Sequence, residues 1–397
     1  MSSSKRIVPV DIFRGMTIAL MIIVNNPGTW SHIFRPLEHA EWFGVTPTDW
    51  VFPFFLFIVG TSIALAYHNR PTNNWKTYKR IITRTLKLLF LGWFLAGFKW
   101  TWPFFKDPHY LRIPGVLVRI GIVFFFGALI YLLFKWIWKK WGMALALTFL
   151  IGLIVLDLGF YWYMMIGKYE LQPGGNIEQL IETKLNKNDN LASQIDRKIL
   201  GVNHMWRHYE PDEGKYVQGN YDPEGLFSTL PALATTLFGM LLGLLLIYVK
   251  GDMKRVILSI LIGGVLVVLA YAWEPYFPFS KKLWTSSYVL YMAGLSFIFY
   301  GIIHFVYNFF SWRAWAFPFI ALGMNAIAIF FLNSFIEKSF YIIKIKGKAI
   351  HWWIYHYTWA HWLGDNEWAS LAYALSVLTF YTLLAIYLYR KKIFFKV

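Results

Sequence analysis

The densest run of side chains able to do chemistry lies between residues 25 and 49, NNPGTWSHIFRPLEHAEWFGVTPTD. It carries Asn25, Asn26, His32, Glu38, His39, Trp42 and Asp49 beside Pro and Gly residues that bend the chain. A neutral imidazole can take a proton from an attacking amine or hydroxyl, and a nearby carboxylate can orient it and stabilise its charged form. His39 with Asp49 or Glu38 is expected to form such a pair; an interfacial histidine without a role in turnover is the competing reading. A second cluster, IDRKILGVNHMWRHYEPDEGKYVQGNYDPEGLFSTLP, supplies Asp196, His204, His208, Glu210, Asp212, Asp222 and Glu224. Carboxylates of this kind suit recognition of a polyhydroxylated, cationic amino sugar, and serve equally as solvated loop residues.

A third cluster is PVDIFRG, in which Asp11 and Arg14 stand three apart and so share a helix face. They form a structural ion pair, or Arg14 is left to help hold an anionic ligand. Other chemistries lack their residues. The chain has no cysteine, which excludes disulfides, thiolate catalysis and Cys-ligated metals. His204 and His208 have helical ligand spacing and His351, His356 and His361 recur in an aromatic stretch, yet no H-E-x-x-H or comparable three-ligand set accompanies them, so no metal is expected. Neither a G-x-x-x-x-G-K-[ST] loop nor a G-x-G-x-x-G turn is present. Arg112-IPGVL is only a near miss for the R-x-x-G-x-G/A loop of soluble acetyltransferases.

The elements that must position these groups are membrane helices. Of 397 residues, 57% are apolar, 20% aromatic and only 15% charged, with mean hydropathy +0.46, whereas soluble domains carry nearer a quarter charged. About ten apolar runs are each long enough to cross a hydrocarbon core of roughly 30 Å as a helix. They fall near residues 8–25, 50–67, 86–102, 115–134, 142–166, 228–249, 256–273, 285–308, 315–335 and 368–389. The sequence thus predicts an all-α polytopic membrane bundle, residues 1–397 forming one transmembrane unit. The start MSSSKR resembles a signal peptide superficially, but no A-x-A-like cleavage site follows and Asp11 and Arg14 interrupt it.

The net charge of +17 sits in short Lys/Arg clusters between apolar runs, the pattern of cytoplasmic loops rather than of a nucleic-acid surface. An even span count with both termini in the cytoplasm puts Lys79, Arg80, Arg84, Lys87, Lys135, Lys139, Lys140, Lys254, Arg255 and Lys391 inside. Lys338, Lys344, Lys346 and Lys348 are exceptions. Two segments on the opposite side exceed a simple turn: a large loop at 167–227, with helical patterning at Ile177–Leu185 and Leu191–Leu200, and an aromatic segment at 336–367 suited to an interfacial or re-entrant helix.

These pieces in order resemble the transmembrane acyltransferase family of heparan-α-glucosaminide N-acetyltransferase. The likeness runs through VDIFRG, His39 followed by W-x-G-x-T-x-x-D-x-VFP, LRIPGVLVRI, NYDPEG, KKLWTSSYVL and GMNAIAIFF, and His39 to Asp49 is its most specific part. It implies transfer of an acetyl group from cytoplasmic acetyl-CoA, through the membrane, to the amino group of a glucosamine on the far side, and His39 matches the family's catalytic histidine. On this basis Arg14, Lys79, Arg80, Arg84 and Lys87 are expected to meet the CoA phosphates, with the pantetheine arm threading between helices. Asp49 orients His39, and Asn25 or Asn26 donates to the thioester oxyanion. Trp42, Glu38, His204, Asp222 and Glu224 are expected to contact the sugar. Direct transfer is favoured over an acetyl-histidine intermediate, because a ternary complex supplies proximity without a protected acyl-imidazole.

The family's N-terminal lumenal domain and the extra span before VDIFRG are not found in the sequence, which favours a small amino sugar or cell-wall fragment as acceptor and a bacterial inner membrane, with His39 periplasmic. The family also suggests a homodimer. The rival function is a secondary transporter for amino sugars or cell-wall fragments, which would need repeats or broken helices in matching positions; a structural membrane protein without turnover is the third.

Overall fold

A computed structural model describes residues 7–170, 173–187, 189–210 and 215–395. The long helices follow the apolar runs. α1 (Val8–Asn25) and α2 (Val51–Tyr67) flank the His39 loop, and α3 (Trp75–Gly97), α4 (Val116–Trp141) and α5 (Met143–Trp162) lead to the large loop. Within that loop lie α6 (Ile177–Lys184), α7 (Leu191–Leu200) and a hairpin of β1 (Arg207–Glu210) with β2 (Lys215–Gln218). Then come α8 (Thr229–Tyr248), α9 (Asp252–Trp273), α10 (Ser286–Phe309), α11 (Ala316–Met324) and α12 (Ala326–Ile342). A two-residue hairpin, β3 (Lys344–Ile345) with β4 (Lys348–Ala349), precedes α13 (Ile350–Tyr355), a π-turn at His356–Ala360, α14 (His361–Leu363) and α15 (Glu367–Arg390).

Among the described residues, eight helices are long and apolar enough to cross a membrane, and α11 with α12 makes a ninth if that pair, bent by 80°, is one span. The chain is an integral membrane protein. The tenth expected span, 86–102, is corrected in character and bounds. α3 starts at Trp75 and ends at Gly97, so Lys76, Lys79, Arg80, Arg84 and Lys87 are not a loop but the polar face of one amphipathic helix. α4 likewise runs to Trp141, and Lys135 turns back to donate to the carbonyls of Tyr67 (3.0 Å) and Arg70 (2.5 Å). The aromatic segment expected from residue 336 begins later, because α12 continues to Ile342 and Lys338 donates from it to the Leu95 carbonyl at 2.5 Å. The helical patterning of the large loop is realised as α6 and α7, each opened by an asparagine cap: Asn176 accepts from Gln179 N and Asn190 from Ser193 N.

Side chains of α1, α2, α4, α8 and α10 fill one continuous core, including Ile12, Phe57, Phe124, Leu237 and Tyr288. On the periphery, Val155 and Leu156 of α5, Val265 and Val268 of α9 and Leu383 of α15 are exposed, as suits helices whose outer faces meet lipid. VDIFRG and GMNAIAIFF meet where α1 crosses α11. A Cβ on Gly15 would stand 1.8 Å from the Phe319 carbonyl oxygen, so this crossing needs glycine.

Candidate active site

The His39 loop is pinned by its own turn. Thr46 caps a short helical turn at Pro47–Trp50, and Asp49 closes the capping box with it. Asp49 Oδ2 accepts from Ala40 N (3.1 Å), Thr46 N (3.0 Å) and Thr46 Oγ1 (3.1 Å). The other oxygen, Oδ1, lies 2.7 Å from His39 Nδ1. An ionised carboxylate only accepts, so His39 carries its hydrogen on Nδ1 and leaves the lone pair of Nε2 free for proton transfer. Tyr288 OH donates to the Asp49 carbonyl at 2.7 Å, tying the turn to α10.

Lys281, from KKLWTSSYVL, places Nζ 3.2 Å from both ring nitrogens of His39 and 3.9 Å from Asp49 Oδ1. The neighbouring Lys282 donates to the Glu41 carbonyl. Trp284 is buried with φ +57°, a conformation rare for a bulky residue; its Nε1 donates to Thr235 Oγ1 at 3.1 Å. Although 43% of the His39 side-chain surface is open, partial burial holds its pKa below the ordinary histidine value. The Asp49 hydrogen bond opposes that shift, and Lys281 and Lys282 reinforce it. Burial also lowers the Lys281 pKa, against the attraction of Asp49 and Glu224.

The loop NYDPEG closes the other wall. Arg112 donates to both Asp222 oxygens (2.9 and 2.6 Å) and to Glu224 (2.6 Å). These carboxylates push the arginine's pKa up despite its burial. Burial works against the Glu224 carboxylate, but Arg112, Arg119 and Lys281 more than offset it and hold its pKa low. Arg119 is buried, donates to the Gly225 carbonyl at 2.8 Å and to Ser228 Oγ at 2.5 Å, and lies over the Trp284 ring. Asp196 accepts from Phe227 N at 3.0 Å, and burial lifts its pKa to about 6. A Cβ on Gly225 would fall 1.8 Å from Asp196 Oδ2, so the final glycine of NYDPEG makes room for that carboxylate.

His39, Lys281 and Glu224 line one cavity of about 170 Å³ with Asn25, Thr48 and apolar residues of α1, α2, α4 and α12. A second cavity of about 880 Å³ is lined by Arg14, Arg70, Lys76, Lys79, Arg80, Arg84 and Lys87. Phe55 and Ile327 line both. Along α1 the lining passes from Arg14 to Thr17, Ile18, Met21 and Asn25, one helix face extending about 16 Å over eleven residue steps. A third cavity of about 590 Å³, containing Lys106, Tyr110, Arg112, Arg207 and Lys338, shares Val116, Leu117 and Phe330 with the His39 cavity.

The five cations expected to meet phosphates thus gather around one cavity. Arg14 is also braced by Asp11 (3.2 Å), Ser62 Oγ (2.7 Å) and the Gly323 carbonyl (3.3 Å). Of the two asparagines, Asn25 lines the His39 cavity, whereas Asn26 is fully buried outside its lining and donates to the Ile22 carbonyl at 2.6 Å. The partner of His39 is Asp49, and Glu38 is exposed on the loop. Three residues expected at the sugar serve as braces. Trp42 donates to the Leu185 carbonyl at 2.7 Å and packs on Tyr221. His204 Nδ1 bonds the Leu111 carbonyl at 2.7 Å, and Asp222 is buried on Arg112. Glu224 alone of that set reaches the cavity. Asp212 lies outside the described residues, and no cluster of three or more metal-ligating side chains occurs among those described. Sequence reasoning misses Lys281 as a site residue; the lysine pair at 281–282, in a connection otherwise poor in cations, is its signal.

Fold and site together define an integral membrane protein in which a histidine–aspartate pair borders a cavity that shares a wall with a basic one. Residues 6–176 match the family model described as heparan-alpha-glucosaminide N-acetyltransferase, catalytic. The chain is 28% identical over 440 residues to the human heparan-alpha-glucosaminide N-acetyltransferase, an alignment covering 99% of this chain and 60% of that protein. The mouse protein of the same name is 28% identical over 448 residues, covering 100% of this chain and 61% of its relative. The chain therefore spans about 60% of the length of the curated relatives it matches.

Proposed function

We propose that this protein is a transmembrane N-acetyltransferase that moves acetyl from cytoplasmic acetyl-CoA to the amino group of a glucosamine-type sugar on the far side of the membrane. Residues 1–397 act as one acyltransferase unit, in a bacterial inner membrane with His39 periplasmic, and the family suggests a homodimer. The observation that carries this is the shared wall of Phe55 and Ile327 between the basic cavity and the His39 cavity. The family-model match over residues 6–176 and the names of the two relatives support the same chemistry.

The basic cavity suits the CoA end of the donor. Seven cationic side chains meet phosphates by charge-assisted hydrogen bonds, and its volume is within the range of about 300–1,000 Å³ common for ligand sites. The slender pantetheine arm then follows the α1 face past Phe55 and Ile327 and delivers the thioester near His39. The free amine attacks the thioester carbonyl while its proton passes to His39 Nε2. The C–N bond forms, the C–S bond breaks, and the imidazolium returns the proton to the leaving thiolate. Asn25 and Thr48 line the cavity where the oxyanion develops, and Glu224 is the carboxylate available to the sugar's amino or hydroxyl groups. Direct transfer is preferred to acetyl-His39, because the sugar and thioester can share this cavity.

The test is reconstitution in liposomes with labelled acetyl-CoA and glucosamine, looking for N-acetylglucosamine. Product formation by wild type and its loss in His39→Ala are expected. No wild-type product, or a His39→Ala rate equal to wild type, rejects transfer, and uptake of unmodified glucosamine would select a carrier instead.

A further inference from the structure

His39 needs two incompatible things from its surroundings. A hydrogen bond from Nδ1 to a carboxylate fixes the tautomer, but an isolated carboxylate at that distance also stabilises the imidazolium. A histidine already protonated at neutral pH cannot serve as a base. Lys281 stands where it resolves this conflict. Its Nζ is equidistant, at 3.2 Å, from His39 Nδ1 and Nε2, so it lies off the lone-pair axis of either nitrogen and acts by charge rather than by capping Nε2. It is largely buried, with 17% of its side-chain surface open, and lines the same cavity as His39.

We propose that Lys281 is a positioning residue of the transfer site, whose ammonium keeps the His39 imidazole neutral and proton-accepting while Asp49 fixes which nitrogen bears the hydrogen. The role rests on the proposed use of His39 as the base. It serves both halves of the reaction: a neutral imidazole takes the amine proton, and the imidazolium formed beside Lys281 is the more acidic for it, which favours return of that proton to the thiolate. The charged groups facing this pair come from several elements. Glu41 belongs to the His39 loop, Asp49 to the turn before α2, Lys282 to the segment before α10, Glu224 to NYDPEG and Arg119 to α4. Lys281 is the cation of this set within hydrogen-bond distance of the His39 ring. The direction of the His39 shift, to which Lys281 contributes, agrees.

The experiment is carbethoxylation by diethylpyrocarbonate, which modifies histidine only in its neutral form, followed on the His39 peptide by mass spectrometry across pH in the full-length protein. Wild type should show a midpoint below about 6.5. Lys281→Met should raise it by about one pH unit, and Lys281→Arg should bring it back to within a few tenths of wild type. An unchanged midpoint in Lys281→Met overturns the proposal, as does an arginine variant that behaves like methionine. The buried His304 reports folding in the same spectra; if its protection is lost in Lys281→Met, Lys281→Gln carries the same expectation and the same refutation. Because this readout needs no acetyl transfer, a shifted midpoint in a protein that makes no acetylated sugar would reject the proposed reaction and leave the charge effect of Lys281 standing.

Discussion

Asp49 gives one carboxylate oxygen to His39 at 2.7 Å, while the other accepts from Thr46 N and Thr46 Oγ1 of its own turn and from Ala40 N beside His39. The residue that caps the entry to α2 is thus the residue that orients the candidate base. Asp49→Asn should keep most of these cap contacts while replacing a carboxylate with an amide that no longer fixes the tautomer. Acetyl transfer should fall at least about 100-fold with little change in thermal stability, measured as initial rates and a melting curve on the same preparation.

The acid limb of the pH profile follows from His39. Its protonated form cannot accept the amine proton, so kcat/KM should rise with pH through the pKa of the free protein. Burial and Lys281 lower that pKa, so the midpoint should lie below about 6.5 rather than above it. A midpoint above that value, with His39→Ala showing the same limb, would assign the titration to another group.

Phe55 and Ile327 form the wall common to the basic cavity and the His39 cavity. Ile327→Trp should obstruct the passage, lowering transfer by tenfold or more while CoA still binds the protein with near wild-type affinity in calorimetry. Equal loss of binding and transfer would place the obstruction elsewhere.

Lys79 and Arg80 line the basic cavity. The double substitution Lys79→Gln with Arg80→Gln should raise KM for acetyl-CoA about thirtyfold, each lost charge-assisted contact being worth about 1 kcal/mol. The effect should shrink as salt rises, and kcat should change little, because neither residue lies in the His39 cavity.

Gly15→Ala would put a methyl group 1.8 Å from the Phe319 carbonyl oxygen. Separation of α1 from α11 should destabilise the protein by about 1–3 kcal/mol, read as a lower melting temperature in detergent.

Much of this organisation was legible in the sequence because lipid enforces a single strong signal, an apolar run of fixed length. The bounds of α1 at Val8 and Asn25 and the helices α6 and α7 follow from runs and caps that any reader can find. Basic residues misled at α3 and α4. Lys76 and Lys135 look like loop residues by charge alone, but α3 is amphipathic and Lys135 folds back onto backbone carbonyls. The bend between α11 and α12 also escaped, since Asn325 inside an apolar run gives little warning. At the site, His39 and Asp49 stood close enough in sequence to be paired. Lys281 comes from 242 residues away, and only the tertiary fold brings it to the ring. Trp42, His204 and Asp222 carry side chains suited to a sugar, and the fold also gives each a bracing contact that no sequence pattern shows: Trp42 ties the His39 loop to the 167–227 loop, His204 bonds the Leu111 carbonyl and Asp222 pairs with Arg112.

The most direct test is a sidedness assay in sealed proteoliposomes of one orientation. Acetyl-CoA labelled in its acetyl group is confined to the face bearing Lys79 and Arg80, and glucosamine to the face bearing His39. Labelled N-acetylglucosamine should accumulate only on the His39 face, with free CoA left on the other. Product on the acetyl-CoA face, or label crossing as intact acetyl-CoA before transfer, would contradict passage of the acetyl group through the bundle.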